Sequence, residues 1–237
     1  MKTSLFRITL LVSLAASCSA FGNIVGYINR TIYPGDNLIA NQLNFYPPSG
    51  PINNSLNNIL LGVADGTTFT KWDPVGNAFL PQSIFSLNTH TWSINYTLNL
   101  GEGGLVHSSI RTTNTFVGEV GPYLNDPGPP RQIGWNPNYA NGLYLISCPT
   151  PFGNATFDEV VGRAPHAGEW VKTLDETSQT YSTTTFNGIN WDHGAPALAV
   201  AQSAWFNLGP VIVPEPSTLA LGLTAMALCL LRRRHRC

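Results

Sequence analysis

Charge is scarce in this chain. Asp, Glu, Lys and Arg make up 11% of it, against roughly 25% in ordinary soluble proteins, and Asn, Thr and Gly supply the polar surface instead. Between Phe21 and Val213 there are six cations (Arg30, Lys71, Arg111, Arg131, Arg163 and Lys172) against twelve carboxylates, a net charge of −6. Neutralising phosphates needs a basic face, so nucleic acid is excluded as a partner.

Cysteine is equally thin. Cys18, Cys229 and Cys237 lie near the ends, leaving Cys148 alone in the central stretch. An intramolecular disulfide framework is therefore excluded there, and a lone thiol between Ser147 and Pro149 reads as a small buried hydrophobe. No HExxH, GxSxG, P-loop or EF-hand pattern occurs, so no standard catalytic or metal motif announces itself and no cofactor is expected. Long amphipathic helices are missing as well.

The ends are the most informative parts. Residues 1–20 place Lys2 and Arg7 before an apolar run, Ile8 to Ala16, that closes in small residues. That is the pattern of a secretory signal, with cleavage expected after Ala20; acylation at Cys18 is the alternative. At the other end, Pro214-Glu215-Pro216 cannot enter a helix interior. The stretch Thr218–Leu231 is apolar except for two threonines. As a helix its fourteen residues reach about 21 Å, short of a hydrocarbon core of about 30 Å. Arg232, Arg233, Arg234 and Arg236 then form a basic stop, expected on the cytoplasmic side.

This tail, VPEPSTLALGL…LLRRRHR, resembles the PEP-CTERM sorting signal of Gram-negative bacteria. The likeness covers residues 213–237. It implies an exosortase and the inner membrane as partners of the tail, processing there, and delivery to the envelope or the medium. An ordinary one-pass anchor is the alternative.

Between the ends, short alternating runs rich in Thr, Ile, Val, Phe and Tyr are punctuated by Gly, Pro and Asn. They predict strands at Asn37–Leu43, Thr67–Trp72, Thr91–Asn99, Leu105–Ser109 and Thr113–Val120. Further strands are expected at Leu143–Cys148, Glu169–Leu174, Thr180–Phe186, Ala197–Val200 and Ser203–Leu208. Short helices are expected at Ser55–Leu61 and Ala155–Val161, capped by Asn or Ser. These runs form two similar series. NLIA (37–40) matches YLIS (144–147), LLGVA (60–64) matches VVGRA (160–164), and KWDPVGNAF (71–79) matches TLDETSQTY (173–181). Trp92 lies opposite Trp191, and LGEGGLVH (100–107) opposite VAQSAWFN (200–207).

The expected fold is therefore mainly β: two similar antiparallel modules, sandwich- or barrel-like, with short helices. The first spans 21–121, a Pro/Gly-rich linker 122–133, and the second 134–212. A single C-terminal hydrophobic helix follows within 213–237. The halves can be separate or share a core.

Six tryptophans invite a polysaccharide-binding reading. Trp72 aligns with Leu174, Trp205 with Leu105 and Trp92 with Trp191, so these positions are expected in the core. Trp135 and Trp170 have no apolar counterpart, and Trp135 with Tyr139 is the candidate glycan contact. His166 with Glu169, and Asp192 with His193, are the compact acid–base groups, each read first as a surface feature. Asp158, Glu159, Asp175, Glu176 and Asp192 fit no calcium loop. The expectation is an exported, non-catalytic surface or matrix protein, polysaccharide-associated. The alternative is a secreted, glycosidase-like hydrolase whose carboxylates meet only in the fold.

Overall fold

The computed structural model describes residues 25–120, 142–151 and 153–209. There the chain is mainly β, in antiparallel sheets with two short helices. The expected signal, the linker, the first residues of the second module and the C-terminal helix lie outside the described residues.

A long ribbon frames the first half. Strand β1 (Val25–Ile32) runs antiparallel to β8 (Thr112–Glu119) in unbroken register. Ile28 and Ile32 of β1 face the core, while Val25, Tyr27 and Asn29 are exposed. The sequence reading missed β1 because Arg30 occupies an inward position. Among the described residues that arginine pairs with Glu176, 146 residues away, through one terminal nitrogen, while its buried Nε has no partner.

The main sheet of the first half runs in the order β2 (Gly35–Ala40), β7 (Gly103–Ser108), β3 (Thr68–Asp73), β5 (Ser83–Ser86), β6 (Thr91–Trp92), with β4 (Ala78–Phe79) also on β3. The second half has β9 (Gly142–Ile146), β14 (Ala204–Leu208), β11 (Trp170–Asp175) and β12 (Thr180–Thr185) in that order. Each sheet thus places its first strand beside its last, and its last beside its second in chain order. Registers coincide too. Leu38 opposes Leu105 where Leu145 opposes Trp205, and Trp72 opposes Phe79 where Leu174 opposes Tyr181. Phe85 pairs with Trp92, rings 5.3 Å apart, and Phe186 with Trp191 at 5.4 Å.

Two expectations need correction. The strand expected over Thr91–Asn99 stops at Trp92, because Ser93 turns back: its N–H donates to the Ile84 carbonyl and its hydroxyl accepts from the Ile84 N–H. The helices, α1 (Leu56–Ile59) and α2 (Phe157–Val161), are shorter than predicted and capped differently. Ser55 makes no side-chain cap, while Thr156 and Glu159 form a reciprocal capping box. Segments this short are not stable alone; buried Leu56 and Ile59, or Phe157, Val160 and Val161, hold them in place. Ahead of each helix the chain bridges forward, Ser55 to Thr97 in one half and β10 (Ala155–Thr156) to β13 (Ala197–Leu198) in the other.

Each half has its own core. The first is centred on Ile39, Phe69, Val106 and Phe116, the second on Ile146, Val171, Phe206 and Phe157. A third cluster joins the halves: Leu38, Leu145 and Leu174, with Trp72, Leu105 and Trp205 packed against them. Those six residues are three pairs of matched positions, so the halves meet through the same surface. The backbone repeats the exchange. Ile39 bridges Gln202 and Ile146 bridges Glu102, while the Ala40 N–H donates to Ala201 O and the Ser147 N–H to Gly101 O. Gly101 and Ala201 share a left-handed backbone, φ 75° and 56°; alanine pays a steric penalty there.

Candidate functional site

Most of the polar groups singled out in the sequence hold the fold together. Glu169, 1% exposed, accepts from both guanidinium nitrogens of Arg163 (2.5 and 2.9 Å), from the His166 N–H and from the Gly209 N–H. Burial works to raise its pKa, but these donors outweigh burial and hold the carboxyl below its ordinary value. His166 therefore meets Glu169 through its backbone, not its ring. Glu176 accepts from Arg30 at 2.5 and 2.6 Å and from the Leu38 N–H at 3.0 Å, tying ribbon, sheet and second half together. Its burial wins over Arg30 and raises its pKa. Neither partner of these two ion pairs, Arg30 nor Arg163, was foreseen: Arg30 lies 146 residues from Glu176, and Arg163, six residues from Glu169, reaches it across a loop with no regular spacing.

The other carboxylates act locally. Glu159 completes the α2 cap, and Asp175 accepts from the Thr177 and Ser178 N–H groups in the β11–β12 turn. Among the described residues no group of three or more His, Cys, Asp or Glu side chains is placed to hold a metal ion. Cys148 is buried beside Thr150, and burial pushes its thiol pKa up. Of the tryptophans, Trp92 is in the first core, Trp191 packs against the second, and Trp72 and Trp205 lie between the halves, as their matched positions predict. Trp72, Phe79 and Trp205 meet edge to face, with centroids 4.9–5.6 Å apart. Trp135 and Tyr139, Pro214-Glu215-Pro216 and the terminal arginines lie outside the described residues.

Asp192 and His193 have a different setting. Asp192 accepts from the Thr185 N–H at 2.8 Å and the Thr184 hydroxyl at 3.1 Å, the place held by Ser93 in the first half. The Thr185 N–H is the chief reason its pKa is lowered, and the His193 ring adds to the effect from 3.0 Å. That fixes where the chain leaves β12, and the following residues, 193–197, form one wall of a groove of about 230 Å³. Thr173, Ser182, Thr183 and Thr184 form the opposite wall, and His193, with a 76% exposed side chain, stands on the near wall.

The same position in the first half is filled. There the loop after Trp92 reads Ser93-Ile94-Asn95-Tyr96-Thr97. The Tyr96 ring packs against the first core 6.2 Å from Phe69, and its hydroxyl donates to Pro81 O at 2.8 Å. Lys71, the register counterpart of Thr173, donates to Thr97 O at 2.6 Å and to Glu102 at 2.9 Å. In the second half Tyr96 is replaced by the small residues of Gly194-Ala195-Pro196, and Lys71 by threonine. The groove thus lies where two larger side chains of the first half are replaced by smaller ones in the second.

No protein-family model, no curated protein and no solved structure matches this chain. Among the described residues no helix is long and apolar enough to cross a membrane.

Proposed function

We propose that this chain is an exported, non-catalytic protein of the cell surface or extracellular matrix, polysaccharide-associated, and handed over at the inner membrane by its C-terminal tail. The observation that carries this is the order Pro214-Glu215-Pro216, apolar Thr218–Leu231, then Arg232, Arg233, Arg234 and Arg236, at the end opposite a secretory signal. By its resemblance to PEP-CTERM signals, an exosortase recognises the tail and removes it. The scarcity of charge and the single central cysteine suit a body that needs neither a basic face nor a disulfide framework.

The body is read as two copies of one β unit, each a small sandwich of a sheet against a helix-bearing layer. Supporting this are the common strand order, the coincident registers and the reciprocal bridges at Ile39 and Ile146. A non-catalytic role is supported by the engagement of Glu169 and Glu176 in buried ion pairs. The test is mass spectrometry of protein recovered from envelope and medium. The expected product begins near Phe21 and lacks Arg232–Cys237; exported protein that keeps those residues refutes tail removal, and a cytosolic, full-length chain refutes export.

A further inference from the structure

The two halves repeat strand order, register and turn geometry, so a place where one is filled and the other open stands out. That place is the groove between β12 and residues 193–197. In the first half Tyr96 and Lys71 fill it from within. In the second, Thr173, Ser182, Thr183, Thr184 and His193 line open space.

We propose that this groove binds a single pyranose residue of a polysaccharide. The inference rests on the polysaccharide reading above and deepens it, placing in the groove a contact additional to the one expected at Trp135 and Tyr139. What fills the matching space gives the size: a six-membered ring bearing a hydroxyl. About 230 Å³ falls below the roughly 300–1,000 Å³ typical of clefts for drug-sized ligands, and so suits one ring. The lining gives the chemistry. One wall offers the hydroxyls of Thr173 and Ser182, opposite each other across β11 and β12 and so on one face, neither with a hydrogen-bond partner among the described residues, and His193 adds Nε2 from the other wall, its Nδ1 lying 3.0 Å from Asp192. The opposite wall, at Ala195, Pro196 and Ala197, presents carbon. A pyranose has apolar C–H faces and a rim of hydroxyls that both donate and accept, which matches both walls. A partner protein's tyrosine would fill the volume but carry one hydroxyl, leaving wall hydroxyls unpaired on burial, which is unfavourable. No carboxylate lines the groove, and Asp192 beside it is engaged with Thr184 and Thr185.

The test uses the full chain in detergent, with saturation-transfer NMR against methyl glycosides of glucose, galactose, mannose, N-acetylglucosamine and glucuronic acid. At least one is expected to receive saturation. Rebuilding the first half's filling with Thr173→Lys and Ala195→Tyr is expected to weaken that binding at least tenfold, with near-UV circular dichroism unchanged. Should that variant fail to fold, Ser182→Ala, which removes one hydroxyl, is expected to weaken binding about threefold. The proposal is overturned if no glycoside binds, if the variants bind as well as the parent, or if N-acetyltyrosinamide binds in place of the sugars. A protein that binds sugar yet is never exported refutes the export reading and leaves the groove standing.

Discussion

Gly103 faces Ser203, its own counterpart, where the two halves cross. A Cβ on Gly103 would lie 2.6 Å from Ser203 Cβ and 2.8 Å from the Leu145 carbonyl oxygen. Two matched positions therefore hold one side chain between them. Gly103→Ala is expected to destabilise the protein by about 1–3 kcal/mol, as overpacking does, measured by urea denaturation. Adding Ser203→Gly should recover only part of that, because the Leu145 carbonyl remains.

The Arg30–Glu176 pair is expected to behave as a buried ion pair, with side chains 13% and 5% exposed. Arg30→Ala leaves Glu176 without its counter-charge and should cost about 3–5 kcal/mol. Arg30→Met combined with Glu176→Gln removes both charges and keeps an acceptor for the Leu38 N–H. Recovery of most of the lost stability in the double variant, by the same denaturation, is the expected outcome.

Acid should unlock the second half through Glu169. Its folded pKa is lowered, so its contribution is present above the unfolded value of about 4.3 and is lost as pH falls through the folded value. Glu176 has the opposite sign. Its folded pKa is raised, so its contribution is full below about 4.3 and fades as pH rises through the folded value. Glu169→Gln is expected to flatten the acid limb of a melting-temperature profile; an unchanged limb would assign acid loss to other groups.

The α2 cap offers a smaller effect. Thr156→Ala removes the acceptor for the Glu159 N–H and should cost about 0.5–2 kcal/mol. Ser55→Ala, at a helix start with no side-chain cap, should cost less on that account, and thermal melts of the two variants compare them directly.

Much of the fold was legible because apolar character was matched across the two series. Trp72 with Leu174, and Trp205 with Leu105, share size class but not shape, and all four sit in one cluster between the halves. Alternation found β8 and β14 because one face of each is buried. Short strands such as β5 escaped, since four residues carry little periodicity. β1 escaped because an arginine on its inner side hides the pattern. The groove could not be read from sequence in the same way. It is defined by side chains that are small at Ala195 and Pro196, and only the position of Tyr96 in the other half gives that smallness meaning. Asp192 and His193 were visible as a pair, but their role in setting the loop depends on the strand edge at Thr185.

The crossed turns have one more consequence. Residues 101–103 lie against β9 and its end in the second half, and 201–203 against β2 in the first. A chain stopped near residue 120 would leave β2 with a bare flank, the kind of unpaired edge that invites sticking to a neighbour. Completion of either half waits on the other, so an emerging polypeptide stays unsealed until nearly its whole length is available.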